Sequence, residues 1–225
     1  MNDLADRSFD RRVARTKNRP LASGELANRH AVVLLGLLLL AAAGLLFLLD
    51  PLVLRLAPIA LLLAALYPFS KRWLPVPQTM LGLAFGWGTV MAWAAVRGEL
   101  EAPAWCLFGA TAAWAVAYDT IYAIQDREDD RRIGVKSAAI FFESSIPLGV
   151  GVAFSIMLTL LAIAGWVGQI GWAYYVTLLG LGLFFSVQIG ELREPVDPSH
   201  ALGMFQAHTW VGVAVLTGLL TGFLT

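Results

Sequence analysis

The stretch Ala112–Arg132, "AAWAVAYDTIYAIQDREDDRR", decides the fold, because an apolar run passes directly into a densely charged segment. The apolar part suits a membrane helix, which needs about 20 such residues to cross the hydrocarbon core. The charged part must stay in water or face a polar partner, since an ionised side chain in lipid is costly. The stretch therefore predicts a membrane span that ends at a polar surface.

The composition of the whole chain agrees with this prediction. Of its 225 residues, 58% are hydrophobic and 14% are charged, and the mean hydropathy is +0.70. A soluble domain of this size is usually about a quarter charged. The composition thus favours a polytopic membrane protein over a soluble enzyme. Cys106 is the single cysteine, which excludes a disulfide framework and a cysteine-based metal site.

Apolar runs of spanning length occur seven times along the chain. They cover about 31–49, 52–69, 78–97, 103–124, 146–167, 171–190 and 204–224. No alternating strand pattern competes with them, and an open sheet could not cross lipid because its edges would leave backbone groups unpaired. The sequence predicts an all-α polytopic transmembrane helix bundle of about seven spans.

The basic residues orient this bundle. When the spans alternate in direction, fourteen of the sixteen Lys and Arg residues fall on one side, together with both acidic segments of the chain. The opposite side receives only Arg97, and Arg55 lies inside or near the end of a span. The positive-inside rule makes the basic side cytoplasmic.

Carboxylates recur at helical spacing in two segments on that side. The second segment uses spacings of 3, 4 and 4 for Asp119, Tyr122, Asp126 and Asp130, and the first uses 3 and 4 for Asp3, Asp6 and Asp10. Such spacings place side chains on one face of a helix. Charged loops are mostly just solvated, but two matched segments on one surface favour a shared cation. Oxygen ligands without His or Cys favour Mg²⁺, and the interleaved Arg and Lys residues suit phosphate oxygens.

At these residues the chain resembles the UbiA superfamily of intramembrane aromatic prenyltransferases. The first signature of that family, N-D-x-x-D-x-x-x-D, stands here as "NDLADRSFD", followed by "RTKNRPLASG". The second stands as "YDTIYAIQDREDD", followed by "IGVKS", and the elements "YPFSKRW" and "GLAFGWGTVMAWAA" lie between them. The resemblance covers nearly the whole chain. It is greatest to the bacterial members that prenylate 4-hydroxybenzoate in ubiquinone biosynthesis.

The resemblance implies one prenyltransferase domain over residues 1–225, in the bacterial inner membrane. Its central cavity would be capped on the cytoplasmic side by two Asp-rich segments, 1–30 and 119–137. The family usually has nine spans, and its first Asp motif ends the second of them. Because this chain begins at that motif, the resemblance predicts that it is N-terminally incomplete, with two further spans encoded upstream of Met1.

The resemblance also assigns the site residues. The Mg²⁺ positions of the family match Asn2, Asp6, Asp10, Asp126 and Asp130. The set expected to bind substrate comprises Asn2, Arg19, Tyr67, Lys71, Arg72, Tyr122 and Lys136. The catalytic set comprises Asp126, Asp119, Arg19 and Lys71. Among these residues, Arg19 and Lys71 match the positions that contact the diphosphate.

The reaction that the resemblance implies is transfer of a polyprenyl group to the ring carbon ortho to the hydroxyl of 4-hydroxybenzoate. Ionisation of the allylic diphosphate would give a carbocation, which Trp87, Trp93 or Trp114 could stabilise through its π face. A base would then take the ring proton. The expected partners are polyprenyl diphosphate, 4-hydroxybenzoate and the lipid bilayer, with no nucleic acid, and protein partners stay open.

Other functions share the same motifs or the same charges. A UbiA-type enzyme could act on a different acceptor, such as a naphthoate, homogentisate, haem or chlorophyllide. A non-catalytic membrane protein that binds Mg²⁺ or lipid phosphate would also collect carboxylates and cations at one surface. The third alternative is an inactive fragment. An assay with prenyl diphosphate, 4-hydroxybenzoate and Mg²⁺ separates the non-catalytic alternatives from the enzyme.

Overall fold

A computed structural model describes residues 1–13, 15–193 and 196–225. These residues form α-helices and one 3₁₀ turn, and no β-strand occurs among them. The helices before the second acidic segment are α1 (Asn2–Asp10), α2 (Pro20–Ser23), α3 (Asn28–Leu46), α4 (Pro51–Ser70), α5 (Gln78–Arg97) and α6 (Ala102–Tyr122). The later ones are α7 (Arg127–Ile133), α8 (Ala138–Phe142), the 3₁₀ turn Glu143–Ser145, α9 (Ile146–Val167), α10 (Trp172–Glu191) and α11 (Pro198–Gly222).

The prediction of about seven spans is confirmed by the lengths of these helices. Within the described residues, six helical segments are long and apolar enough to cross a membrane. They are α3, α4, α5, α9 together with α8, α10 and α11. A seventh span is added when α6 and α7 count as one crossing that bends by 87°. The chain is therefore a multi-pass membrane protein by length and composition.

The last span begins earlier than the hydropathy predicts, at Pro198 instead of near residue 204. The side chain of Asp197 accepts a hydrogen bond of 3.1 Å from the backbone N–H of Ser199. Pro198, at the first helical position, has no N–H and therefore needs no acceptor. Hydropathy misses this first turn because its capping residues are polar.

The prediction that Asp119, Tyr122, Asp126 and Asp130 share one face of a continuous helix is wrong. Helix α6 ends at Tyr122, and α7 starts at Arg127 after the 87° bend. The six charged residues 127–132 would have to continue along the axis of an apolar span if the helix were straight. The bend gives them access to the polar surface, which lowers the cost of their charges. Asp3, Asp6 and Asp10 lie on one helix, α1, as predicted.

Helix α6 is the centre of the bundle, since it packs against α5, α9 and α11. Small side chains allow the close approach of α5. A Cβ atom added to Gly82 would lie 2.5 Å from the carbonyl oxygen of Ala112, and one added to Gly86 would lie 2.9 Å from that of Phe108. Glycines four residues apart are a common way for membrane helices to approach closely. The tight contact holds the end of α6 beside the start of α5.

We expect Gly82→Ala to lower the thermal unfolding midpoint of the detergent-solubilised protein by several degrees. The new methyl group would overlap the backbone of α6, and overpacking of this kind costs about 1–3 kcal/mol. Gly88→Ala is the matched control on the same helix, because a Cβ atom there meets no atom within 4 Å. Equal midpoints for the two variants would contradict the close packing of α5 on α6.

The remaining core lies between α6, α9, α10 and α11. Phe154 and Phe185 stack with ring centroids 3.9 Å apart, and the hydroxyl of Tyr174 donates to the carbonyl oxygen of Leu161 at 3.0 Å. Large apolar side chains on the outer faces of the helices are exposed, as expected where a bilayer replaces water. Among the described helices of spanning length, α3 differs from the others, because none of its residues is buried.

Candidate active site

A cavity of about 200 Å³ lies at the end of the bundle where the two acidic segments meet. Helix α1 covers it, the end of α4 and the start of α5 form one wall, and α6 with α7 forms the other. Its charged lining consists of five carboxylates and four cations. They are Asp6, Asp10, Asp119, Asp126 and Asp130, and Arg15, Arg19, Lys71 and Lys136. Carboxylates and cations therefore line the same pocket. We call the end of the bundle that holds this pocket the motif end.

The structure brings nearly all of the predicted site residues to this cavity. The predicted residues in its lining are Asn2, Asp6, Asp10, Arg19, Tyr67, Lys71, Asp119, Tyr122, Asp126, Asp130 and Lys136. Arg72 is the exception, because it is not in the lining. Its guanidinium packs over the rings of Phe9 and Phe69 and donates to the carbonyl oxygen of Ala5 at 3.0 Å. This contact ties α1 to the end of α4.

Asp6 is the most buried carboxylate of the first segment, with 2% of its surface exposed. One carboxylate oxygen lies 2.5 Å from the Lys71 ammonium, while the other, Oδ1, has no hydrogen-bond partner among the described residues. Burial raises the pKa of Asp6, and the contact with Lys71 partly offsets this rise. A buried acceptor without a hydrogen-bond partner costs folding free energy. The Oδ1 of Asp6 is therefore available to bind a cation.

Arg19 serves the same segment from the loop that follows α1. Its guanidinium lies 3.3 Å from the carboxylate of Asp10 and 3.2 Å from that of Asp3. Asp10 is 7% exposed, and the hydroxyl of Thr16 donates to its backbone carbonyl at 3.0 Å. The loop therefore folds back on α1, which places Arg19 against the carboxylates instead of in open water.

The second segment contributes Asp126 and Asp130, at the start of α7. Both carboxylate oxygens of Asp126 accept hydrogen bonds from the guanidinium of Arg15. Burial raises the pKa of Asp130 to about 7, and the neighbouring charge of Asp126 contributes to the rise. Like charges disfavour each other's ionisation, so a cation placed between them would restore the charged form of Asp130.

Asp119 enters the cavity from the last turn of α6. The side chain of Gln78 lies within hydrogen-bonding reach of it, and the side-chain Oε1 of Gln78 accepts from the backbone N–H of Ala138 at 3.0 Å. Gln78 is 5% exposed. It therefore links the starts of α5 and α8 to the carboxylate of Asp119. A buried carboxylate in a span needs such a partner.

The lining residues that the sequence did not assign to the site include two with polar contacts to its carboxylates, Arg15 and Gln78. Arg15 is one of several arginines in its segment, and spacing does not separate it from the others. Gln78 offers a weak signal that could have been used, because it is a polar residue at the start of an apolar span. Lys136 is in the lining as predicted, but its ammonium donates to the carbonyl oxygen of Trp73 at 2.8 Å.

The tryptophans suggested as stabilisers of a carbocation lie elsewhere. Trp87 donates to the carbonyl oxygen of Leu56 at 3.2 Å, Trp93 donates to Glu101 at 3.2 Å, and Trp114 donates to His208 at 2.9 Å. None of the three belongs to the described lining of the cavity. The aromatic rings that do line it are those of Phe9, Tyr67 and Tyr122.

The donor set of the cavity fits a hard divalent cation. It offers carboxylate oxygens from α1, from α6 and from the start of α7, together with the side-chain amide of Asn2. The buried Oδ1 of Asp6 lacks a partner within the described chain. Such oxygen ligands suit Mg²⁺, which keeps several waters and is often completed by substrate phosphates. No group of three or more His, Cys, Asp or Glu side chains among the described residues is arranged to hold a metal by itself. Cations of the protein separate the carboxylates instead.

Sequence comparison gives a direct indication of family. Residues 1–223 match the profile of the UbiA prenyltransferase family. The chain is 43% identical over 228 residues to the 4-hydroxybenzoate octaprenyltransferase of Thiobacillus denitrificans, covering 100% of this chain and 76% of that protein. It is 41% identical over 223 residues to the enzyme of the same name from Azotobacter vinelandii, covering 99% and 75%.

Solved structures share the fold. The chain superimposes on the apo structure of a UbiA homolog from Aeropyrum pernix K1 with a TM-score of 0.80 and 24% sequence identity, covering 98% of this chain and 82% of that one. It also superimposes on a digeranylgeranylglyceryl phosphate synthase with a TM-score of 0.74 and 21% identity, covering 98% and 78%. The helix arrangement seen here is thus one that solved membrane-protein structures share.

Proposed function

The chain belongs to the UbiA prenyltransferase family, and from this premise we propose that it transfers a polyprenyl group from polyprenyl diphosphate to 4-hydroxybenzoate. The new bond forms at the ring carbon ortho to the hydroxyl, in a step of ubiquinone biosynthesis. The names and identities of the bacterial relatives support this acceptor.

One observation of the structure carries the proposal. Both Asp-rich segments reach a single cavity, together with cations from the loop after α1 and from the end of α4. Neither a solvated loop nor a site for a bare metal needs this mixture. A diphosphate held with a divalent cation needs carboxylates for the metal and cations for the phosphate oxygens, and the cavity offers both.

The proposed cofactor is Mg²⁺, held by Asn2, Asp6, Asp10, Asp126 and Asp130. When bound, it neutralises charge on the diphosphate and so helps the allylic C–O bond to break. Arg19 and Lys71 donate to the phosphate oxygens and stabilise the negative charge of the leaving group. Tyr67 and Tyr122 line the same cavity, and aromatic rings can stabilise a carbocation that forms beside them.

Asp119 lies one turn before the bend, on the side of the cavity that continues into α6. Gln78 fixes its position. Its carboxylate can stabilise positive charge on the allylic carbocation or on the prenylated ring. Because α5, α6 and α8 meet at Gln78, the orientation of Asp119 depends on the packing of the bundle and not on a flexible loop.

We expect Arg19→Ala and Lys71→Ala to weaken binding of the prenyl diphosphate more than binding of the aromatic acid. Each variant removes a charge-assisted contact to phosphate, which corresponds to about tenfold to hundredfold in affinity. Apparent affinities for both substrates would be measured in membranes, and Arg12→Ala would serve as control, since Arg12 is exposed and outside the lining. A loss of affinity for 4-hydroxybenzoate alone would reverse the assignment.

The membrane and the face are also proposals. Both acidic segments and most basic residues lie at the motif end of the bundle, and the positive-inside rule places that end in the cytoplasm. We propose a bacterial inner-membrane enzyme whose cavity opens towards the cytoplasm, where 4-hydroxybenzoate is soluble, while the polyprenyl tail stays in the bilayer.

The test is a product assay in membranes that contain the protein. Octaprenyl diphosphate, 4-hydroxybenzoate and Mg²⁺ should give a product whose mass equals the acid plus the prenyl group minus one hydrogen, with the prenyl group ortho to the hydroxyl. Parallel reactions with a dihydroxynaphthoate, homogentisate, haem and chlorophyllide test the rival acceptors. Product from one of those acceptors alone would replace the proposed acceptor, and no product from any of them would favour a non-catalytic protein.

A further inference from the structure

Arg15 connects the two acidic segments across the cavity. Its Nε donates to Oδ1 of Asp126 at 3.0 Å, and its terminal nitrogen contacts Oδ2 of the same carboxylate. The guanidinium also lies over the ring of Tyr122, with its central carbon 5.1 Å from the ring centroid. These contacts hold the loop after α1 against the start of α7.

The two hydrogen bonds from Arg15 occupy both carboxylate oxygens of Asp126, which the proposed function assigns to the metal. A planar guanidinium and a carboxylate form a pair that is both specific and strong. A divalent cation therefore has to displace Arg15 before it reaches Asp126, and the charge of Arg15 opposes its approach. Asp6 differs, since its Oδ1 is already free of partners among the described residues.

Arg15 is able to leave this position. About 36% of its side chain is exposed, against 16% for Asp126. The side chain is long, and its partner lies at the rim of a cavity large enough to admit phosphate groups. A diphosphate in the cavity would offer the guanidinium a second set of charged oxygens, to which arginine binds in the same bidentate manner.

We propose that Arg15 couples metal binding to diphosphate binding: it holds Asp126 while the cavity lacks a diphosphate, and transfers to the phosphate oxygens when one arrives. The inference rests on the proposed function. A metal that binds alone has to compete with Arg15 for the carboxylate of Asp126. A diphosphate that binds alone is placed beside carboxylates of its own sign of charge. Bound together, the two ligands allow Asp126 to turn to the metal and Arg15 to turn to the phosphate, so each ligand favours the other.

The first test measures Mn²⁺, as a paramagnetic substitute for Mg²⁺, bound to the purified protein in detergent without diphosphate. We expect Arg15→Gln to bind Mn²⁺ about tenfold more tightly than the unaltered protein, since the competing cation is gone. Arg12→Gln removes the same charge from the same segment without touching Asp126, and should change the affinity less than about twofold. Structural damage would change the affinity in the opposite direction, because misplaced ligands bind more weakly.

The second test measures radiolabelled pyrophosphate bound at saturating Mn²⁺. Here Arg15→Gln should weaken binding by about tenfold or more, while Arg12→Gln should leave it unchanged. Arg15→Lys keeps the charge but not the bidentate contact, and should fall between Arg15→Gln and the unaltered protein in both tests. Opposite signs in the two tests are the signature of coupling, which a purely structural role for Arg15 does not produce.

An Mn²⁺ affinity of Arg15→Gln equal to or below that of the unaltered protein would overturn the inference. That outcome leaves the proposed function intact if the unaltered protein still binds Mn²⁺ and pyrophosphate together. If neither the unaltered protein nor Arg15→Gln binds Mn²⁺, with or without pyrophosphate, the proposed metal site fails and the coupling fails with it. Thermal unfolding of each variant identifies any that has lost its fold, and Arg15→Lys then carries the test.

Discussion

Changing Asp126 or Asp6 to asparagine is expected to lower prenyl transfer by about a hundredfold to a thousandfold, while the protein still inserts into the membrane. Each change removes one formal charge at nearly constant shape, in a cavity whose cations require it. Loss of one preorganised electrostatic contact in an active site has effects of this size. Initial rates with octaprenyl diphosphate and 4-hydroxybenzoate, normalised to the amount of folded protein in the membranes, measure the effect.

Glu128→Gln is the matched control for these two variants. Glu128 precedes Asp130 on the same short helix, but its side chain is 85% exposed, pairs with Arg132 and is outside the cavity lining. Its replacement removes the same charge from the same surface and should change the rate less than about twofold. Equal losses in all three variants would point to the summed charge of the surface and not to defined ligands.

Removing divalent cations is expected to abolish the reaction. The cavity neutralises its own carboxylates with Arg15, Arg19 and Lys71, so these cations alone cannot also compensate the charge that develops on a leaving diphosphate. Excess EDTA should therefore reduce product to about 1% or less, and added Mg²⁺ should restore it. Sodium chloride at matched ionic strength is the control, since screening alone should not replace a bound metal.

Full turnover in excess EDTA would contradict the metal assignment. A partial loss that sodium chloride also restores would indicate that the cation only screens the charges of the motif end. These outcomes can be told apart by titrating Mg²⁺, because a bound metal gives saturation whereas screening depends on total ionic strength.

Much of the fold could be predicted from hydropathy, because a span is decided by a property averaged over about 20 residues. Helix ends are decided by single contacts, and there the sequence was less informative. The capping side chain of Asp197 starts α11 six residues before the apolar run. The bend after Tyr122 depends on where six charged residues meet the surface, which the regular spacing of the aspartates conceals.

The candidate site divides in the same way. Asp6 and Asp126 belong to motifs whose spacing is visible in the chain, and the structure places both in the cavity. Their partners follow from tertiary contacts between distant segments. Arg15 is 111 residues from Asp126, and Gln78 reaches Ala138 across 60 residues. No local pattern separates Arg15 from its neighbouring arginines, and the polar Gln78 at the start of a span is only a weak signal, so their partners are known only when the helices are packed together.

Helices α3 and α6 differ in how strongly their packing constrains their amino-acid sequences. Within the described chain α3 buries none of its residues, so contacts inside this chain require only that its leucines, valines and alanines stay apolar. Helix α6 presents small side chains to neighbours on several sides and positions Asp119 as well, so the identity of its buried residues matters. Over long divergence, the sequence of α6 should therefore change less than that of α3, which has only to stay hydrophobic.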